Sequence, residues 1–146
     1  MTTTAALAYN PSQLEQFKKT GSCPDCDLIG ATVYVNVEPP FNLHDARVSG
    51  SRMSLHNADG SDFSGLVAIR SKFDNEIYAD VNFKGSVLIQ ASFYNAKLSG
   101  DDFTGADVSG ADFELADLYK STGIDFTKVA SVCNAIMPDG SVGKCN

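Results

Sequence analysis

The stretch GADVSGADFELADL, residues 105–118, repeats itself every five residues. Ala106, Ala111 and Ala116 recur at one phase, Asp107, Asp112 and Asp117 at the next, and Val108, Phe113 and Leu118 after them. A helix has a period of 3.6 and a strand a period of 2, so neither explains this spacing. Stepping back by fives from Leu118, the bulky apolar position falls on Phe103, Leu98, Phe93, Leu88, Phe83, Tyr78 and Phe73, then Ala68, Phe63, Ala58, Met53, Val48 and Leu43. Glu38 interrupts the series, and Val33 and Leu28 resume it. Every glycine between residues 30 and 110 shares one further phase, with Asp45, Asn75, Asp80 and Asn95. Gly, Asn and Asp accept turns and left-handed backbone at little cost. Each unit therefore holds a small inward residue, a variable one, a large inward centre, another variable one and a corner. Self-similarity at a fixed short period means a solenoid.

The units AKLSG, ADVSG, ADFEL and ADLYK resemble the A(D/N)LXX pattern of the pentapeptide-repeat family, and the resemblance covers residues 26–120. It implies an all-β solenoid, a right-handed quadrilateral β-helix of about five coils with one repeat per face. Leu66, Glu76, Val81 and Asp101 stand where Ala is usual, so local geometry should vary there. With twenty residues per coil, Leu43, Phe63, Phe83 and Phe103 should stack on one face, and Val33, Met53, Phe73, Phe93 and Phe113 on the next. These aromatic ladders are expected in the core.

A solenoid must cover its ends. Residues 10–21 read as a short N-terminal capping helix, with Asn10 as N-cap, Pro11 at the first helical position, Gln13 completing a capping box and Gly21 as the stop. After Ser121 the fives fail. Phe126, Val129, Ala130 and Cys133 fit helical spacing, so residues 122–146 are expected to add a short C-terminal helix. The whole chain, 1–146, reads as a single domain.

The net charge of −7 argues against direct nucleic-acid or anionic-membrane binding, and the chain lacks an apolar run long enough for membrane insertion. Ala6-Leu7-Ala8 suits the cleavage site of an export signal, but neither a basic nor an apolar region precedes it. It reads as the stub of a targeting segment or as an ordinary flexible terminus, with the second favoured. The tail CNAIMPDGSVGKC resembles those of cyanobacterial and chloroplast pentapeptide-repeat proteins, which implies the thylakoid lumen or the periplasm. Cys133 and Cys145 bracket a Pro138-Asp139-Gly140 turn, and a disulfide is expected there in an oxidising compartment. Cys23 and Cys26 fall on inward phases and are expected as free buried thiols; they lack the surroundings of a redox motif or a zinc site.

Neither a catalytic motif nor a cofactor or metal motif is present, so the chain does not read as an enzyme. His44 lies on an outward phase. Asp102, Asp107, Asp112 and Asp117, one per face, are too far apart to share a metal and read as a solvated rim. One face places Glu38, His56, Glu76 and Tyr78 inward, which a dry core disfavours. A one-residue slip would bury Val35, Val37, Leu55 and Ile77 instead and turn those four polar residues outward, because the side-chain period is 2. They would then form a polar ladder, or a small binding site in which His56 stacks over Glu76. On another face, Val67 and Ile69 flank Ala68, and Val87 and Ile89 flank Leu88 on the next coil. This outward apolar block, rimmed by Arg47, Ser49, Asp107 and Ser109, is the candidate contact surface for a protein partner or a homodimer.

Three functions follow. The first is a non-enzymatic interaction scaffold. The second is a DNA-mimic inhibitor or protector of a type II topoisomerase, as in the quinolone-resistance branch of the family. That branch has longer rods that pair end to end, which a covered C-terminal end would block. The third is a small metal- or ligand-binding protein using His56 and Glu76.

Overall fold

The computed structural model describes residues 9–146; the Ala6-Leu7-Ala8 reading lies outside them. Parallel bridges join residues 20 apart in four columns. One runs Ser22, Asn42, Asp62, Asn82, Asp102, Thr122, and a second Asp27, Arg47, Val67, Val87, Asp107. The third passes through Arg52, Lys72, Ser92 and Asp112, and the fourth through Asn57, Ile77, Lys97 and Asp117. Four columns per 20 residues make a four-sided parallel β-helix. Among the described residues only one pair is long enough to be regular strand, β1 (Thr32–Tyr34) on β2 (Arg52–Ser54), with Val33 opposite Met53. Corners are left-handed: Gly50, Gly60, Gly65 and Gly85, but also Asp45, Asn75, Asp80 and Asn95, all have φ between 54° and 68°.

The core is the expected pair of ladders. Phe73, Phe93 and Phe113 stack face to face at 4.9 and 5.2 Å, and Phe83 stacks on Phe103 at 4.9 Å. The two ladders meet edge-on at about 6 Å, as ring quadrupoles prefer. Lower down, Phe63 meets Phe83 at 75°.

At the N-terminal end, helix α1 (Pro11–Thr20) places Leu14 and Phe17 on the first coil, with Phe17 edge-on to Phe41 at 5.8 Å. Asn10 Oδ1 accepts from Ser12 N and Gln13 N, and Gly21, at φ 69°, donates to Phe17 O. The capping box does not close. Gln13 Oε1 reaches across to accept from Asp27 N at 2.8 Å, tying helix to coil.

At the C-terminal end the expected helix does not form; α1 is the sole helix among the described residues. The repeats slip by one residue and continue. Asp112 bridges Ser131 and Asp117 bridges Ile136, steps of 19 rather than 20. That deletion broke the period in the sequence. It falls near Gly123, where a Cβ would sit 2.3 Å from Thr104 N, so the chain crosses the coil beneath it closer than a side chain allows. Asn134 then makes a left-handed corner and Ala135 is buried. Residues 136–142 turn back as a hairpin, closed by the antiparallel Ile136–Val142 bridge and by the Cys133–Cys145 disulfide.

Cys23 and Cys26 are not free thiols; they form a second disulfide. Both point into the first coil, and their Cα atoms, 5.5 Å apart across the turn, stand within bridging range.

Candidate functional site: the outer faces of the solenoid

With all functional candidates on one rigid rod, the question is which side chains each face presents. The Asp and Asn residues that open so many units are committed to the fold. Oδ1 of Asp102, Asp107, Asp112 and Asp117 accepts from the backbone N two residues on, at 2.9–3.0 Å. Asn42, Asp62 and Asn82 do the same. These Asx turns shape the entry to each corner. Hydrogen bonds from Thr104 and from Ser109 hold the Asp102 and Asp107 carboxyls below the usual range. His44 is exposed, between Ser64 Oγ at 2.8 Å and Asp45 Oδ2 at 2.9 Å.

The expected one-residue slip of the polar face is only partly present. Val35 and Leu55 are buried, Val37 is half-buried, and Glu38 and His56 are exposed. The chain makes no left-handed corner at the β-branched Val35, and in the next coil the corner moves from Leu55 to His56, at φ 61°. In the third coil Asn75 recovers the normal corner, at φ 63°, supported by a 2.9 Å hydrogen bond from Asn95 Nδ2. The slip ends there. Contrary to expectation, Tyr78 is fully buried, Glu76 is 9% exposed, and Ile77 is half-exposed. Tyr78 fits because the residue beneath it is Ala58, and its ring packs edge-on against Phe63, Phe73 and Phe83 at 5.8–6.4 Å. The four residues therefore do not form one outward ladder.

Burial raises the Glu76 carboxyl above its ordinary range, opposed by a main-chain hydrogen bond from His56 and by the charge of that residue. Burial also lifts the Tyr78 hydroxyl well above its usual value. Two shallow hollows flank this column. One, of about 250 Å³, lies between residues 35–39 and 55–57; the other, of about 410 Å³, is bordered by Glu76, Lys97, Leu115 and Ile136. Among the described residues no cluster of three His, Cys, Asp or Glu side chains could hold a metal.

Sequence reasoning passed over Asp101 except as a departure from Ala. Its side chain is completely buried, with Oδ1 accepting from Val81 N at 2.8 Å and Oδ2 unpartnered. Burial, reinforced by Asp80 and Asp59 and opposed by the Val81 hydrogen bond, pushes its pKa up to about 9, so it holds its proton at neutral pH. A carboxylate at an inward phase where Ala or Ser is usual was the available signal.

The apolar block lies on the face centred on Ala68 and Leu88. Val67 and Val87 are bridge partners, and Arg70 N to Ile89 O keeps the same register beyond them, so Ile69 and Ile89 sit on adjacent coils. All four side chains are half-buried. Ser49 Oγ, on the rim, accepts from Ile69 N at 3.1 Å, and Arg47 and Asp107 are exposed at either end.

Comparison with known proteins agrees with this architecture. The family model described as pentapeptide repeats matches in eight copies, at residues 102–122. The crystal structure of HetL, a pentapeptide repeat protein involved in heterocyst differentiation regulation in the cyanobacterium Nostoc sp. strain PCC 7120, superposes with a TM-score of 0.65 at 19% identity. The match covers 83% of this chain and 65% of HetL. This chain thus spans just under two thirds of that protein's length. A pentapeptide repeat protein of the Arabidopsis thaliana thylakoid lumen is 33% identical over 59% of this chain and 68% of its own, with a TM-score of 0.40. A trypsin-treated variant of QnrB1, a plasmid-mediated fluoroquinolone resistance protein, matches at 16% identity over 74% of this chain and 78% of its own, with a TM-score of 0.41. No curated protein matches.

Proposed function

Because the chain belongs to the pentapeptide-repeat family, we propose that it is a non-enzymatic scaffold whose rigid faces bind another protein. The observation that carries this reading is the block of Val67, Ile69, Val87 and Ile89. Most outward ladder positions elsewhere are polar or charged, so four aliphatic side chains on two adjacent coils suit a contact surface better than solvent. β-Propensity alone would explain a single Val or Ile at such a position, as at Ile77, but not four on two adjacent coils of one face. The same reading places the protein in an oxidising compartment, the thylakoid lumen or the periplasm, where two disulfides persist. The polar column at Glu38, His56, Glu76 and Tyr78 is not part of the proposed surface, since Glu76 and Tyr78 are buried.

The test is the pair Ile69→Lys and Ile89→Lys. Both side chains reach solvent, so stability should change by less than about 0.5 kcal/mol. Capture of partners from the native source, or self-association in light scattering, should be lost. Unchanged capture and mass would remove the surface from consideration.

A further inference from the structure

Outward side chains stacked coil on coil mostly complement one another. Arg47 pairs with Asp27 at 3.5 Å, Lys84 with Asp102 at 3.2 Å, and Arg70 Nε donates to Gln90 Oε1 at 2.8 Å. The rung formed by Arg52 and Lys72 breaks this rule. These two exposed residues are direct bridge partners, one coil or about 4.8 Å apart, and among the described residues neither makes an ion pair. Like charges directly opposed across a ladder destabilise it. The nearest carboxylate along the chain, Asp74, is engaged elsewhere, accepting from Tyr94 N at 3.1 Å and from Ser92 Oγ.

The position of this rung gives it meaning. Arg70 occupies the corner between Ile69 and Ser71, so Lys72 lies just around the corner from the apolar block, and Arg47 is the bridge partner of Val67. Arg47, Arg52, Arg70 and Lys72, all exposed, thus border Val67, Ile69, Val87 and Ile89 on the N-terminal and corner sides. They are four of only 11 basic residues in a chain of net charge −7. An acidic protein has gathered a cationic border beside this aliphatic block.

We propose that this composite surface receives an acidic segment of a protein partner, with aliphatic side chains on the block and carboxylates on Arg52, Lys72 and Arg70. The inference rests on the scaffold reading above and specifies its partner. Charge complementarity identifies the occupant: the border supplies specificity and speeds encounter, and the block supplies apolar contact. The aliphatic block also favours protein over nucleic acid. Single-stranded nucleic acid is held by aromatic stacking inside a cationic groove, and the block offers no aromatic ring.

The probe is a fluorescein-labelled peptide of alternating Glu and Val, about ten residues long. Its Lys–Val counterpart and a single-stranded DNA of similar length serve as comparisons, read by anisotropy. The Glu–Val peptide should bind, the Lys–Val peptide should not, and binding should weaken at least about tenfold from low to high salt. Lys72→Glu should reduce binding about tenfold or more while the thermal midpoint stays level or rises, because the substitution relieves the like-charge rung. A purely structural role for Lys72 would not separate binding from stability in that way. Equal binding of both peptides, or binding indifferent to Lys72→Glu, overturns the acidic partner and leaves the contact surface standing. Failure of every probe to bind, with Ile69→Lys also silent in partner capture and mass, removes both. DNA binding tighter than the Glu–Val peptide overturns the proposal in favour of nucleic acid. A dimer dispersed by Lys72→Glu overturns it in favour of a second copy of this chain.

Discussion

Asp101→Asn should make the protein more stable at neutral pH and flatten its pH dependence. In the fold the Asp101 carboxyl is fully buried and its pKa is lifted from 3.8 to about 9. A raised pKa means that its favourable contribution is complete below about 3.8 and is lost as pH rises through about 9. Between those limits the unfolded chain releases a proton that the folded chain keeps. The slope is then a loss of about 1.4 kcal/mol per pH unit, and by pH 7 the accumulated cost is about 4 kcal/mol. Asparagine is neutral throughout. Its Oδ1 can still accept from Val81 N, which lies 2.8 Å from the carboxylate oxygen it replaces. Its amide brings one more N–H into a buried site, a penalty of about 1–3 kcal/mol. The net expectation at pH 7.5 is a gain of about 2–4 kcal/mol.

Urea unfolding followed by circular dichroism at pH 5.5, 6.5 and 7.5 measures this directly. Wild-type stability should fall across the series by about 1.4 kcal/mol per unit more than that of the variant. For a chain of this length that difference moves the thermal midpoint by roughly 4–5 °C per unit. Glu76, also raised by burial, slopes the same way in both proteins, so the difference between profiles isolates Asp101. Parallel profiles, or a variant less stable than wild type at pH 7.5, would refute a buried, protonated Asp101 as the source of the slope.

The acid limb should run the other way. Asp102, Asp107, Asp125 and Asp139 are held below the ordinary 3.8 by hydrogen bonds from the hydroxyl and then the backbone N–H of the Ser or Thr two residues on, so their contribution is present above that pH and lost as pH falls further; unfolding midpoints should therefore drop below about pH 3.8. Phe93→Ala, in the middle of a stacked ladder, should cost about 3–5 kcal/mol by urea unfolding, and a cost under about 1 kcal/mol would mean the ring is not in the core. Protein purified without reductant should show no free thiol under denaturing conditions; cutting the Cys133–Cys145 link, with its separation of 12 residues, should cost about 3 kcal/mol on the loop-entropy model, and detection of two or four free thiols counts against the pairing. The chain should leave DNA gyrase supercoiling unchanged, because the C-terminal hairpin covers the last coil where end-to-end pairing would occur; dose-dependent inhibition would restore the DNA-mimic reading.

What the sequence disclosed and what it hid divide along one physical line. A period of five is a property of the backbone, repeated at every corner, so it survives substitutions such as Tyr78 or Asp101 at individual inward sites. The aromatic ladders followed from it, and so did the placement of Val67, Ile69, Val87 and Ile89 on one face. Errors arose where two registers were nearly equal locally. At residues 35–37 and 55–56 the alternation of Val and Leu favours the slipped register, and the slip occurs. At residues 75–78 Ile77 alone favours the slipped register, Asn75 takes the left-handed corner readily and the space above Ala58 accepts an aromatic ring, so the normal register wins. Neither fact can be read from residues 75–78 alone, because the deciding neighbour lies 20 residues away. The C-terminal end failed for a related reason. One missing residue near Gly123 destroys a fixed-step pattern in the sequence, whereas a coil absorbs it by tightening one corner. The Arg52–Lys72 rung belongs to the same class, since its two charges lie far apart in sequence and meet only across a coil. In a solenoid, then, the sequence period specifies the fold, and the residues one period apart specify the surface.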